Sequence, residues 1–192
     1  MSDFILQFER RYSMAHRLLS GAAPRCSVPH GHNEIVAVDI VADNIRPLDT
    51  DTNMLAEFGE VKGRWFQWID KQVDHSFQIA DTDPLIGYFS EHEPETLKRC
   101  LITPGDPTTE IRAACFMAKL NTFLAGQGLT CPRLTIHETP TNSVVFNGDP
   151  TQILPGGDHW WWRSDDSINE LSGHGLSLEI IGSAIHEEQL SR

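Results

Sequence analysis

The chain has 192 residues, 40% of them hydrophobic and 22% charged, which suits a globular protein long enough to bury one sizeable core. Fifteen basic against 27 acidic side chains leave a formal charge of −12, which repels nucleic-acid phosphates and argues against an extended nucleic-acid interface. No run approaches the ~18–20 apolar residues of a membrane span, and the start, Met1 to Leu6, lacks a basic segment followed by an apolar stretch, so no signal peptide is expected.

Cys26, Cys100, Cys115 and Cys131 are scattered without paired spacing. That argues against a disulfide framework and for a reducing, cytoplasmic compartment. An anionic substrate would need a local cluster of Lys, Arg or metal to overcome the global negative field.

Residues 4–16 read as a strand, with Phe4, Leu6, Phe8 and then Tyr12, Met14 and His16 at alternating positions. Residues 17–29 form a loop punctuated by Gly21, Pro24 and Pro29. Residues 33–42 are the clearest strand, rich in β-branched side chains, and 43–53 are polar and turn-like. Residues 55–73 read as a helix, because Leu55, Phe58, Val61, Trp65, Trp68, Ile69 and Val73 recur at three- and four-residue spacing. Residues 79–105 are expected to be an irregular connection with a short helix around 94–100. A second helix spans 108–125, with Asp106 or Thr108 as cap, Pro107 suited to its first position, and Gly126 and Gly128 as its stop.

Residues 133–138 and 143–146 read as two strands around a turn at Pro140-Thr141-Asn142. The order strand, strand, helix, helix, strand, strand implies an α+β fold with an antiparallel sheet and helices on one face. From Asn147 the character changes, with a dense His159-Trp160-Trp161-Trp162-Arg163 cluster. Residues 149–192 are read as a C-terminal extension of a 1–148 domain, too short for a core of their own.

His30-Gly31-His32 opens the second strand. Residues two apart on a strand share a face, so both imidazoles can reach one ion. If the first two strands pair as a hairpin, His16 joins them. Three neutral imidazoles leave a fourth zinc position open, as in catalytic rather than structural zinc sites. Gly31 is read as keeping this crowded shell free of a side chain. A His-x-His pair also describes two exposed strand histidines; His16 at the strand end and Cys26 four residues before His30 favour the metal.

Cys26 sits in a loop beside the proposed ion, and a nearby cation favours the thiolate form that acts as base or nucleophile. The other three cysteines read as small buried hydrophobes. Asp74-His75 follows the first helix, where it is either a proton relay or a helix-terminal histidine near the negative end of the dipole. Glu138 can accept two parallel hydrogen bonds from an amino-amidine edge such as that of guanine or a pterin, or it simply faces solvent.

Six stretches in order resemble the 6-pyruvoyltetrahydropterin synthase / 6-carboxytetrahydropterin synthase family. They are Tyr12-Ser13-Met14-Ala15-His16-Arg17-Leu18, Cys26 to Asn33, Phe58-Gly59-Glu60-Val61-Lys62, Val73-Asp74-His75, Pro107-Thr108-Thr109-Glu110, and Glu138-Thr139 followed by Asn142 to Gly148. The resemblance implies a tunnelling (T-fold) architecture: a four-stranded antiparallel sheet with two helices, whose subunits join into a trimer-based barrel, in some cases a hexamer, with active sites between subunits. His16, His30 and His32 would hold zinc; Cys26 would be the general base, with Asp74 and His75 completing a triad; Glu138 would anchor the pterin ring, helped by Thr108 and Thr109.

Zinc would act as a Lewis acid on 7,8-dihydroneopterin triphosphate. The three residues between Cys26 and His30 resemble the 6-carboxytetrahydropterin synthase group of queuosine biosynthesis, whose reaction releases acetaldehyde and triphosphate. The alternatives are triphosphate elimination to 6-pyruvoyltetrahydropterin, a non-catalytic pterin- or zinc-binding module, and a three-histidine zinc hydrolase. Arg17, Arg25 and Lys62 are candidates for a triphosphate by proximity alone, and the sequence does not decide among its basic residues. The chain departs from the family pattern at Glu57-Phe58, at His137, in a longer connection over 79–104, and in its tail, whose tryptophans would cap an interface, close over the substrate or pack outside.

Overall fold

A long hairpin organises the computed structural model, which describes residues 4–20, 23–42 and 48–172. β1 (Ile5–His16) and β2 (His30–Ala42) pair antiparallel from Ile5↔Val41 to His16↔His30. With a side-chain period of two, Phe8, Tyr12, Met14 and His16 share the buried face with Glu34, Val36, Val38, Ile40 and Ala42. β5 (Leu129–Thr139) adds to β2 and β6 (Asn142–Phe146) to β5, both antiparallel. A register shift between Asp39 and Val41 changes the buried set on β5 from Leu129 and Cys131 to Leu134 and Ile136. A second irregularity, between His137 and Thr139, leaves Glu138 outside the β5–β6 ladder.

The expected four-stranded antiparallel sheet accounts for only these strands. The sheet has six, in the order β4-β3-β1-β2-β5-β6, and it is mixed. β3 (Ser76–Ala80) runs parallel to β1 over Met14–His16, and β4 (Cys100–Thr103) runs parallel to β3. Every residue of these two strands except Phe77 is buried, so they carry no apolar–polar alternation to read.

The helices also exceed the expected two. Among the described residues there are four: α1 (Phe58–Trp68), α2 (Leu85–His92), α3 (Pro94–Leu97) and α4 (Thr109–Leu124). The 79–105 connection, expected to be irregular apart from a short helix around 94–100, holds that helix as α3 and also α2 and β4. The helix expected over 55–73 starts at Phe58 and passes into a π-helical turn over Ile69–Val73, which closes with Asp74 N–H on Ile69 O at 2.8 Å. Thr108, not Asp106, caps α4, accepting from Ile111 N–H at 3.4 Å; Pro107 therefore precedes the cap instead of opening the first turn.

α1 and α4 cover the buried sheet face, with Trp65 and Trp68 stacked at 5.3 Å and both set edge-on to Phe116. Residues 149–172 pack over this layer. Trp161 is fully buried against Trp68 and Phe116. The buried Lys119 ammonium donates to the carbonyls of Trp160 (2.6 Å) and Arg163 (2.8 Å). Ile102 N–H donates to Ile168 O at 3.0 Å, so the tail covers the outer edge of β4. The remainder of the expected extension, 173–192, lies outside the described residues, as do 43–47 of the expected turn and 21–22 of the first loop.

Candidate metal centre and active site

His16 ends β1 and His30 begins β2, so the hairpin sets them directly opposite; His32 points to the same face across from Met14. The ring centroids lie 4.5 Å (His16–His30), 5.1 Å (His16–His32) and 5.2 Å (His30–His32) apart. One ring nitrogen from each falls within 4.8 Å of the other two. His16 Nδ1 meets Pro107 O at 3.1 Å and His30 Nδ1 meets Val28 O at 2.8 Å. A carbonyl only accepts, so both Nδ1 atoms carry the proton and both Nε2 atoms present lone pairs. Those two Nε2 atoms face each other at 3.1 Å.

Lone pairs this close require a shared proton or a cation between them. Burial pushes the His16 imidazole down to about 4, the Arg112 charge acting the same way against the bond to Pro107, so His16 is neutral near pH 7. The donor set therefore fits a metal ion with three imidazole ligands and an open position.

Gly31 serves the sheet and not the metal shell. A Cβ there would meet Met14 O at 2.7 Å, so the glycine is required by the close approach of the two strands.

A cleft of about 340 Å³ is lined by His16, Leu18, Thr108, Thr109, Glu138 and Ser143, among others. Glu138 Oε1 accepts from Thr109 Oγ1 at 2.8 Å. Beneath it lies a buried network that joins residues far apart in sequence. Arg112 forms a two-pronged pair with Glu34 (2.6 and 2.9 Å), donates to Thr109 Oγ1 (3.1 Å) and lies 3.6 Å from Glu138 Oε1. Tyr12 OH donates to Glu34 Oε2 at 2.5 Å. The available signal was Glu34 itself, an acidic residue in phase with Val36, Val38 and Ile40 on a strand face that must be buried.

Asp74 and His75 sit on another wall. The π-helical turn delivers Asp74 to Ser13, whose N–H donates to Asp74 Oδ1 at 2.7 Å, while His75 Nδ1–H donates to Oδ2 at 2.8 Å. Burial works to raise the Asp74 carboxyl, but the Ser13 amide, His75 and Arg10 together hold it below its ordinary value. His75 adopts φ +61°, an uncommon conformation for a non-glycine residue. Its imidazole borders a different, largely apolar cleft with Pro29, Phe77, Leu85 and Phe89.

Cys26 ends a short 3-10 turn, Pro24–Cys26, and is partly exposed; Leu18 N–H donates to its carbonyl at 2.8 Å. The other cysteines are buried and inert, Cys100 and Cys131 pushed up to about 12 by burial. One chain thus brings together His16, His30 and His32, and places Thr108, Thr109 and Glu138 on the cleft that His16 borders, while His75 faces elsewhere. Of the basic residues near in sequence, Arg17 is locked in a two-pronged pair with Asp83. Lys62 lies over the rings of Phe8 and Phe66, with Phe8 ~27 Å along β1 from His16. Arg25 is exposed beside Cys26.

A hairpin that gathers three histidines beside a carboxylate-bearing cleft defines an α+β protein with a candidate metal centre. A family model described as 6-pyruvoyl tetrahydropterin synthase matches residues 5–149, and the chain belongs to this family. It is 31% identical over 130 residues to a probable 6-carboxy-5,6,7,8-tetrahydropterin synthase of Halobacterium salinarum, covering 68% of this chain and 77% of the relative. It is 27% identical over 130 residues to the 6-carboxy-5,6,7,8-tetrahydropterin synthase of Rickettsia felis, covering 67% and 89%. Among solved structures, an uncharacterized protein from Wolinella succinogenes superposes with TM-score 0.60 at 20% identity, covering 77% of this chain and all of that one. The 6-pyruvoyl tetrahydropterin synthase of Caenorhabditis elegans superposes with TM-score 0.51 at 22% identity, covering 78% and 99%. At these identities the structures establish a shared fold.

Proposed function

We propose that the protein is a zinc-dependent lyase that converts 7,8-dihydroneopterin triphosphate, with uptake of water, to 6-carboxy-5,6,7,8-tetrahydropterin, releasing acetaldehyde and triphosphate, as in queuosine biosynthesis. The observation that carries this reading is the cleft itself, in which a metal-ready imidazole, His16, and a carboxylate, Glu138, line one wall system with Thr108 and Thr109. The relatives of Halobacterium salinarum and Rickettsia felis, named for this product, support it.

His16, His30 and His32 would hold the ion, which when bound supplies Lewis acidity to the substrate's side-chain hydroxyls. Glu138 accepts hydrogen bonds from the amino-amidine edge of the pterin and fixes the ring. Cys26 removes the side-chain proton. His75, its tautomer set by Asp74, relays protons to and from Cys26.

We further propose that the active site forms between subunits of a homo-oligomer. Two features support this. His75 borders a cleft other than that of Glu138, so a second copy is needed to bring the relay to the pterin. Both β6 and residues 5–12 of β1 carry an edge without a strand partner among the described residues, as barrel closure from several copies requires. No helix among the described residues is long and apolar enough to cross a membrane.

Product identification by mass spectrometry after anaerobic incubation with 7,8-dihydroneopterin triphosphate tests the reading. Acetaldehyde with the 6-carboxy product supports it. Dominance of 6-pyruvoyltetrahydropterin moves the protein to the family's other reaction. Binding without turnover contradicts both.

A further inference from the structure

Arg112 and Glu34 are both completely buried, so neither can touch a ligand, yet their pairing ends on Glu138, one of the two carboxylates that line the cleft, the other being Glu110. The Arg112 fork is occupied by both oxygens of Glu34, and Tyr12 OH holds Glu34 from the other side. Arg112 Nη2 also donates to Thr109 Oγ1 at 3.1 Å. A hydroxyl that accepts there has its own proton free to donate elsewhere, and it donates to Glu138 Oε1 at 2.8 Å. The same guanidinium nitrogen stands 3.6 Å from Oε1. Glu138 sits in a strand irregularity, outside the β5–β6 ladder, so the sheet alone does not fix its direction. Oε1 is thereby held by Thr109 with one lone pair still open, and Oε2 has no protein partner among the described residues, so both oxygens can accept from a ligand in the cleft.

We propose that Arg112, clamped by Glu34 and Tyr12, is a positioning residue that sets the direction in which Glu138 meets its ligand, and so decides whether an exocyclic amino group is recognised. The ligand class rests on the pterin reading above: a heterocycle with a ring N–H next to an amine. A carboxylate held in this direction accepts from both; an analogue carrying a carbonyl in place of the amine sets oxygen against oxygen and is rejected. A lysine at position 112 keeps the charge but lacks the planar fork that serves Glu34 and Thr109 together.

The test uses Arg112→Lys and the double variant Glu34→Gln/Arg112→Gln, which replaces the ion pair by two amides and leaves no buried charge unpaired. Crystal structures of wild type and variants locate the Glu138 carboxylate, and fluorescence titration compares neopterin with its 2-oxo (lumazine) counterpart. The proposal predicts that Glu138 leaves Thr109 in both variants, and that a wild-type preference of roughly 100-fold for the amino compound falls below about 10-fold. A Glu138 that stays on Thr109 in both variants overturns the proposal, whatever the ligand. A Glu138 that moves, in a protein whose wild type does not distinguish the two compounds, supports the positioning role and overturns the pterin reading instead. A Glu138 that moves while a wild-type preference persists undiminished overturns the recognition role.

Discussion

His16 and His30 meet Nε2 to Nε2 at 3.1 Å, each ring turned by a main-chain carbonyl that holds its Nδ1 proton. These second-layer bonds fix the tautomer, so that both Nε2 atoms offer lone pairs to one ion. The expected outcome is one zinc per chain by elemental analysis of the purified protein. His30→Ala and His32→Ala are each expected to weaken zinc binding by about 100-fold or more while leaving the hairpin intact.

Asp74 gives a pH signature. Its carboxyl is held below its ordinary value, so it contributes stability that is present above the unfolded carboxylate range and is lost as acid carries the folded group to protonation. Asp74→Asn is therefore expected to melt below wild type at pH 5 to 7, with the difference closing below about pH 4. Under the proposed relay, the same variant loses ~10²–10⁴-fold in kcat through the altered His75 tautomer.

Glu34 and Arg112 illustrate the cost of breaking a buried pair. Arg112→Ala leaves Glu34 charged and uncompensated at zero exposure, and is expected to destabilise the chain by about 3–5 kcal/mol in urea unfolding. Glu34→Gln/Arg112→Gln is expected to lose much less, because neither group remains as an orphan charge.

Trp161 and Lys119 make the tail part of the core. Trp161→Ala is expected to cost about 3–5 kcal/mol. Burial pushes Lys119 down to about 8, below its unfolded value of 10.5, so wild type sheds this proton first when folded. Stability therefore rises between those two values, and wild type gains relative to Lys119→Met, which lacks the group, over pH 8 to 10.5 in paired melts.

How legible the fold was depended on which faces met water. β1 and β2 alternate because one side is packed and the other open, and from that alternation the shared face of His16, His30 and His32 could be read. β3 and β4 are buried almost throughout, so no period marks them, and of the helices between them only the short one at Pro94 is legible, while α2 is not. Gly31 has ligands on both sides in sequence, which suggests a role in the metal shell, but a strand turns it to the opposite face, where a Cβ would meet Met14 O. The Glu34–Arg112 pair joins residues 78 positions apart, and only tertiary packing reveals it. Cys26, Asp74 and His75 are local motifs, and under the proposed assembly their relative placement depends on how copies meet.

The most direct test of the account is metal-dependent release of acetaldehyde from 7,8-dihydroneopterin triphosphate, measured for zinc-loaded protein, chelator-stripped protein, stripped protein given zinc back, and zinc-loaded Cys26→Ala. The account predicts release in the first, loss in the second, recovery in the third and none in the fourth, with the variant still folded and holding zinc. Release that persists without metal, or undiminished in Cys26→Ala, would contradict it.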